Sequence, residues 1–262
     1  MILNGGDVTV VVGNCLSDVL ESGHLRHRLD QSERYFEIRL LSASHLDDVM
    51  FVQDQTFQAL PDKSIYYPSA RHIFQDSLSG RGLVIGCFVE DALIGFRSIW
   101  LPTDSEENLG IDIGIEKKEH LIKVAHLERA CVLPEFTGNR LQMRMTNHAI
   151  ELAKQHGHFR YLCSTVAPTN YASMQDKFSA DMVIVSLLKK YEDYYRYIFF
   201  RDILNPYDLN KDLTHTLSIN GGDIENQIEL LNQSPRYIGY QQHRVDGITS
   251  VSYGLLARSL LG

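Results

Sequence analysis

Residues 126–157 read HLERACVLPEFTGNRLQMRMTNHAIELAKQHG, and the order of residue types in this stretch decides the architecture. An apolar run stops at Pro134, passes Gly138 and gives way to Leu141, Met145, Ala149, Leu152 and Ala153, which recur at helical spacing. A strand feeding a long amphipathic helix is the result. The first backbone N–H groups of that helix, around Thr137 to Leu141, have no carbonyl one turn back to pair with. With the partial positive charge of a helix N-terminus and a glycine that admits a ligand close to the main chain, they form an anion-binding corner suited to a pyrophosphate. A nucleotide or coenzyme is the first ligand to expect. The chain has neither the Walker spacing of glycine, lysine and serine or threonine nor a strand followed by three glycines at dinucleotide-binding spacing, so NTPase and Rossmann readings lose weight.

Working outward, strand and helix signals alternate from about Glu37 to Ile203. Phe36 to Leu41 is strand-like, and Ser44 with Asp47 and Asp48 starts a helix over LDDVMFVQDQTFQAL. A second helix covers SARHIFQDSL with Ser69 as its cap. GLVIGCFVEDALIGFRSIWL is an antiparallel hairpin turning at Glu90, Asp91 and Ala92. PTDSEENLGIDIGIEKKE, residues 102–119, has the composition of a long excursion, a mobile loop or short irregular element. After the central helix come the strand FRYLCSTVAP, the short helix NYASMQDKF, and two strands in MVIVSLLKKYEDYYRYIFFRDI joined near Tyr191 to Asp193. Helices thus interrupt a largely antiparallel sheet, a mixed α/β layer fold.

The ends differ from the middle. The expected division is an N-terminal accessory segment over 1–35, a catalytic domain over 36–204 and a C-terminal accessory segment over 205–262. NGGD occurs at Asn4 to Asp7 and again at Asn220 to Asp223, a repeat short enough to be two glycine turns. DIENQIELLNQ reads as a helix capped by Asp223, and RVDGITSV as a hairpin turning at Asp246 and Gly247. The two ends are candidates for packing together and for a homodimer contact.

The 262 residues are 44% hydrophobic and 22% charged with a formal net charge of -8, an ordinary globular composition that argues against nucleic acid as the main partner. Cys15, Cys87, Cys131 and Cys163 lie far apart with no metal-ligand or redox spacing, and read as small core residues in a reducing compartment, with no metal expected. No basic leader precedes the short apolar run near Met1 and no segment reaches membrane-spanning length, so the expectation is a cytoplasmic protein without membrane association.

Three pieces resemble the GNAT superfamily of acetyl-CoA-dependent N-acetyltransferases: VLPEFTGN (132–139), APTNYASM (167–174) and the closing strands ending RYIFFRDI. The resemblance implies a GNAT-like sheet flanked by helices, acetyl-CoA as co-substrate and a small-molecule or protein amine as acceptor. It implies that Ala130, Cys131 and Val132 pair with the pantetheine arm, that Thr137, Gly138, Asn139, Arg140 and Leu141 hold the pyrophosphate, and that Asn170 and Ser173 lie beside the coenzyme arm. The sequence departs from the family pattern too. Thr137 replaces the usual loop arginine, Arg140 stands where glycine or alanine is common, Glu135 is expected to point to solvent, and Lys177 takes the place of the usual acid tyrosine.

On the strand ending at Val132, alternation places His126, Glu128 and Ala130 on one face and Leu127, Arg129 and Cys131 on the other. His126 and Glu128 fall at positions where family members place the base that deprotonates the amine, with an oxyanion donor from a backbone N–H near Val132. Tyr171 is the nearest phenol to Asn170, and Tyr66 and Tyr67, with His72 beyond, are candidates for reading the acceptor. Cys131 reads as core rather than nucleophile. The expected activity is acetyl transfer by direct attack in a ternary complex. The alternatives are transfer of a longer acyl chain on the same fold and a non-catalytic coenzyme-binding regulatory protein.

Overall fold

In the computed structural model, which describes residues 19–63, 66, 68–103, 106–157, 159–191 and 193–261, β1 (Val19–Arg26) and β2 (Glu33–Leu40) pair antiparallel, and β2 continues onto β3 (Gly82–Val89). β3 returns through Glu90 and Asp91, both at positive φ, into β4 (Ala92–Trp100). These are the dihedrals of a two-residue turn whose twist suits a hairpin. β4 pairs with β5 (Val124–Val132), giving the order β1-β2-β3-β4-β5. Every residue of β3 is buried, which explains why its sequence is a continuous apolar run rather than an alternation. Three helices pack against β3 and β4: α1 (Leu46–Gln58), α2 (Arg71–Leu78) and α3 (Leu141–His156). Val49, Val52, Phe74, Val84, Phe96 and Cys131 share one core.

Among the described residues these elements form one compact unit, 19–103 with 125–159, and the rest, 106–124 with 160–261, a second. The second unit is built on β6 (Tyr161–Val166), β7 (Val183–Lys190), β8 (Tyr194–Asp202), β9 (Leu213–Asn220), β10 (Tyr237–Val245) and β11 (Ile248–Leu256), in the order β6-β8-β7-β10-β11-β9. The pairs β6·β8, β7·β8, β10·β11 and β11·β9 are antiparallel. α4 (Tyr171–Ser179) follows β6, and α5 (Ile224–Leu231) starts at Asp223, whose side chain accepts from the Asn226 amide. The segment after residue 204 extends this sheet through Gly239 opposite Ile184. The first NGGD copy and Cys15 lie outside the described residues; in the second copy Asn220 closes a turn by accepting from the Gly222 amide at 2.8 Å.

Three local expectations need correction. From Asn108 the excursion is no mobile loop: single helical turns at Leu109–Asp112 and Lys118–Leu121 bring Leu109, Ile113 and Ile115 into the core of the second unit with Val124, Tyr161 and Ile198. Ser44 does not start α1; a 3-10 turn over Ala43–His45 precedes it, and Ser42 is the residue that caps that turn. Ser69 does not cap α2, whose N-cap is Ala70 without a side-chain bond. Ser69 is buried and used elsewhere.

Candidate active site

The first unit holds most of the sequence candidates. Along β5, Arg97 of β4 stands opposite Ala130 and Ile99 opposite Leu127, so Glu128 and Arg129 together oppose Ser98 alone. This is a β-bulge, and it breaks the alternation. Glu128 and Arg129, expected on opposite faces, both reach the Ser69 hydroxyl. Arg129 Nε donates to Ser69 Oγ at 3.0 Å and Ser69 Oγ donates to Glu128 Oε2 at 3.4 Å. Cys131 is on this side as well, with its Sγ 3.2 Å from the Tyr66 hydroxyl, and the Arg129 guanidinium lies over the Tyr66 ring at 4.9 Å.

His126 is 4% exposed and its Nδ1 is 3.4 Å from Glu128 Oε1. The indole of Trp100 meets the imidazole edge to face, with centroids 5.5 Å apart. Burial is the largest influence on the Glu128 carboxyl and pushes its pKa up. The hydrogen bond and charge of His126, the charge of Arg129 and the Ser69 bond outweigh it, leaving the group below its ordinary value. Glu128 is therefore a carboxylate at neutral pH and a weak base, suited to orienting an imidazole rather than to taking a proton itself. The shift also has a stability consequence. A carboxyl whose pKa is lower folded than unfolded stabilises the fold above its ordinary value of 4.5, and this is lost as pH falls through the folded value. Urea melts should show a stability difference between the native chain and Glu128→Gln that is full at pH 7 and shrinks below about pH 4.5; a difference independent of pH would refute this account.

Ser69 is held by Gln53 of α1. Gln53 Oε1 accepts from the Ser69 amide at 3.0 Å and Gln53 Nε2 donates to the Ser69 carbonyl at 3.1 Å, while the Tyr66 hydroxyl approaches the same Oε1 at 3.4 Å. Sequence reading missed Gln53, Ser69 and Arg129 as parts of the site. One signal was present, since Gln53 lies on the helical stripe of Val49 and Val52, where an apolar residue is the rule. Tyr66 turns its hydroxyl inward, and burial keeps it a neutral phenol by pushing its pKa far up. It offers a ligand only its ring. Tyr67 lies outside the described residues, and His72 is exposed.

The anion corner begins after the short 3-10 turn Pro134–Phe136. Gly138 has φ 89° and Arg140, the N-cap of α3, has φ 56° with no side-chain cap. Both left-handed residues turn the chain so that the backbone amides from Gly138 to Met143 find no partner among the described residues. Leu141 is buried, Thr137 and Arg140 are exposed, and Glu135, expected to face solvent, is half-buried. The Asn139 side chain clamps the loop to β1, accepting from the Arg26 amide at 2.9 Å and donating to the Arg26 carbonyl at 2.8 Å. The Arg28 amide donates to the Glu135 carbonyl at 2.7 Å. At the strand end, Cys131 and Val132 are buried, and the Ala130 carbonyl accepts from Gln142 Nε2 at 3.3 Å.

Asn170 and Ser173 belong to the second unit. There the Asn170 side chain caps α4 by accepting from the Ser173 amide at 3.0 Å. Lys177 is buried and paired with Asp176 at 2.8 Å. Tyr171 has the Arg244 guanidinium 5.6 Å from its ring centroid. Among the described residues no cluster of His, Cys, Asp and Glu could hold a metal, and no helix is long and apolar enough to cross a membrane.

This largely antiparallel sheet flanked by helices is the fold of the GNAT acetyltransferases. NAA60 of Arabidopsis thaliana, solved with acetyl-CoA, matches 65% of this chain and 99% of its own at 14% identity and a TM-score of 0.50. An N-acetyltransferase from Staphylococcus aureus Mu50 matches 65% of this chain and 99% of its own at 15% identity and a TM-score of 0.49. A GNAT-family acetyltransferase from Streptococcus pneumoniae matches 64% and 98% at 16% identity and a TM-score of 0.47. No protein-family model and no curated protein sequence matches the chain.

Proposed function

We propose that this chain is an N-acetyltransferase that moves the acetyl group of acetyl-CoA to an amine by direct attack in a ternary complex, with residues 36–204 as its catalytic domain. The observation that carries the reading is the pair of buried His126 and half-buried Glu128, in the same unit of a GNAT fold as the uncapped amides from Gly138 to Met143. An ammonium must lose a proton before it can attack a thioester. His126, its Nδ1 facing Glu128 at 3.4 Å, is the residue that accepts that proton. The amine nitrogen then bonds to the carbonyl carbon, the carbon–sulfur bond breaks with its electron pair on sulfur, and the proton that the acylated nitrogen sheds goes to the departing thiolate, giving amide and thiol. A thiolate is a good enough leaving group that it can depart without a phenolic acid, which suits Lys177 at the place where the family keeps a tyrosine. The loop from Thr137 to Leu141, with its open amides from Gly138 onward, holds the pyrophosphate, and Ala130 to Val132 serve the pantetheine arm.

Calorimetric titration with acetyl-CoA tests the coenzyme half of this reading, with Gly138→Tyr alongside. A Cβ at Gly138 would meet nothing within 4 Å, so a tyrosine is admitted at the corner where the ligand is to sit. The left-handed backbone adds about 1–2 kcal/mol of local strain to the variant. The native chain is expected to bind, and the folded variant to lose binding. A native chain that takes up no acetyl-CoA at millimolar concentration would end the acetyltransferase reading.

A further inference from the structure

We infer that the free edge of β9 and the α5 face beside it form a docking groove for an extended, lysine-bearing segment of a partner protein, which adds a strand to this sheet. The inference stands on the second unit alone and does not depend on acetyl transfer. β9 is the last strand in its order, and no strand among the described residues pairs with its outer side. The Gly221 amide donates to the Thr249 carbonyl at 2.7 Å, and the register sets Ile219 opposite Val251 and Leu217 opposite Tyr253. Bonded pairs alternate along an antiparallel ladder, so these residues turn their backbone groups to β11, while the N–H and C=O of Ser218 and the N–H of Asn220 point outward. Edge strands are usually blunted by charge, proline or a bulge. Here a register shift, with His215 at φ 48°, blunts the first half of β9, and Leu217 to Asn220 carries neither charge nor proline.

Beside this edge lies a groove of about 500 Å³, walled by Ser218, Ile219 and Asn220 on one side and by Asp223, Asn226 and Glu229 on the other. No described residue of β11 lines it, so it follows the open edge of the sheet rather than its face. The α5 wall decides the charge of the occupant. Two carboxylates line the groove, and no lysine, arginine or histidine among the described residues does. Glu229 is exposed, and Asp223 accepts only from the uncharged Asn226, at 3.3 Å from its amide and 2.7 Å from its side chain. Asp223 and Glu229 are six residues apart, about 9 Å along the helix. Side chains two residues apart on an extended chain share a face about 7 Å apart, so lysines at alternate positions reach both carboxylates, their flexible stems taking up the difference. A second copy of this chain matches less well, because pairing β9 with β9 would bring two acidic walls to one edge.

The test is fluorescence anisotropy of the full chain with two labelled octapeptides, one alternating threonine and lysine, the other threonine and glutamate. The lysine peptide is expected to saturate with a Kd below about 1 mM, and the glutamate peptide to bind at least about tenfold more weakly. Two variants separate strand pairing from general attraction to an acidic protein. Ser218→Pro removes an outward N–H while leaving the ladder to β11 and every charge in place. Glu229→Gln removes one charge and leaves the strand. Each is expected to weaken the lysine peptide at least about fivefold, the scale of one lost hydrogen bond or charged contact. If Ser218→Pro does not fold, lysine peptides methylated on alternate backbone nitrogens make the same comparison on the native chain, and the phase that blocks pairing should bind at least about fivefold more weakly. No saturation by about 1 mM, equal binding of the two peptides, or an affinity unmoved by loss of the strand bonds or by Glu229→Gln overturns the inference. So does a monomer–dimer equilibrium in sedimentation that Ser218→Pro abolishes, which gives the edge to a second copy. Failure to bind acetyl-CoA would remove the activity reading and leave this one standing.

Discussion

Replacing His126 with alanine is expected to lower kcat for acetyl transfer by about 10²- to 10⁴-fold, the usual contribution of a positioned general base. The heat of acetyl-CoA binding should persist, because the imidazole belongs to β5 and the amide corner to the loop that follows it. Glu128 Oε1 lies 3.4 Å from Nδ1, and the Trp100 indole meets the ring edge to face at 5.5 Å. A side chain that merely filled this space would tolerate glutamine, which keeps polarity and volume but cannot accept the proton at neutral pH. His126→Gln is therefore expected to be nearly as inactive as His126→Ala while melting closer to the native chain. A loss below about tenfold in both variants would transfer the role of base to another group.

The largest expected effect on stability lies in the second unit, at Gln227. This fully buried side chain of α5 accepts on one oxygen from two buried phenols, Tyr197 at 2.5 Å and Tyr253 at 2.6 Å. Its nitrogen donates to the Gly221 carbonyl at 3.1 Å and the Asp223 carbonyl at 3.0 Å. Burial pushes Tyr197 up to about 12, so it stays a neutral donor throughout the working range. Gln227→Leu keeps the volume but takes the shared acceptor from two buried hydroxyls and the side-chain donor from the Gly221 carbonyl, while the Asp223 carbonyl keeps the Gln227 backbone amide at 3.3 Å. At about 1–3 kcal/mol for each group left unsatisfied, with some relaxation, a loss of about 4 kcal/mol is expected. That corresponds to a Tm lower by roughly 10 °C for a chain of this size. A calorimetric scan showing a change of less than about 2 °C would mean that water or repacking satisfies these groups.

The hairpins were legible in the sequence because β-branched and aromatic runs flank short polar turns, as at Glu90–Asp91 and Asp246–Gly247. α3 was legible because its apolar residues keep helical spacing through Ala153. Residues 109–115 were not, since Leu, Ile and Gly in alternation look irregular until Leu109, Ile113 and Ile115 are seen entering a core supplied by distant strands. His126 and Glu128 could be named from the strand and the family likeness. Their neighbours could not, because alternation predicts opposite faces for Glu128 and Arg129, and only the pairing with β4 reveals the extra residue between Leu127 and Ala130. Ser69 looked like a helix cap because serine before a helix usually is one. Its actual partners, Gln53 and β5, lie 16 and about 60 residues away in the chain.

The Asn139 clamp on Arg26 joins positions 113 residues apart. Closing a loop of that length costs about 4 kcal/mol of chain entropy, which the local bonds of the corner cannot offset before the rest of the unit has assembled. The corner of open amides is thus an element of high contact order: a growing chain has no such loop until Asn139 has been made and has found β1. Its shaping belongs to the late, slow side of folding rather than to the nucleus.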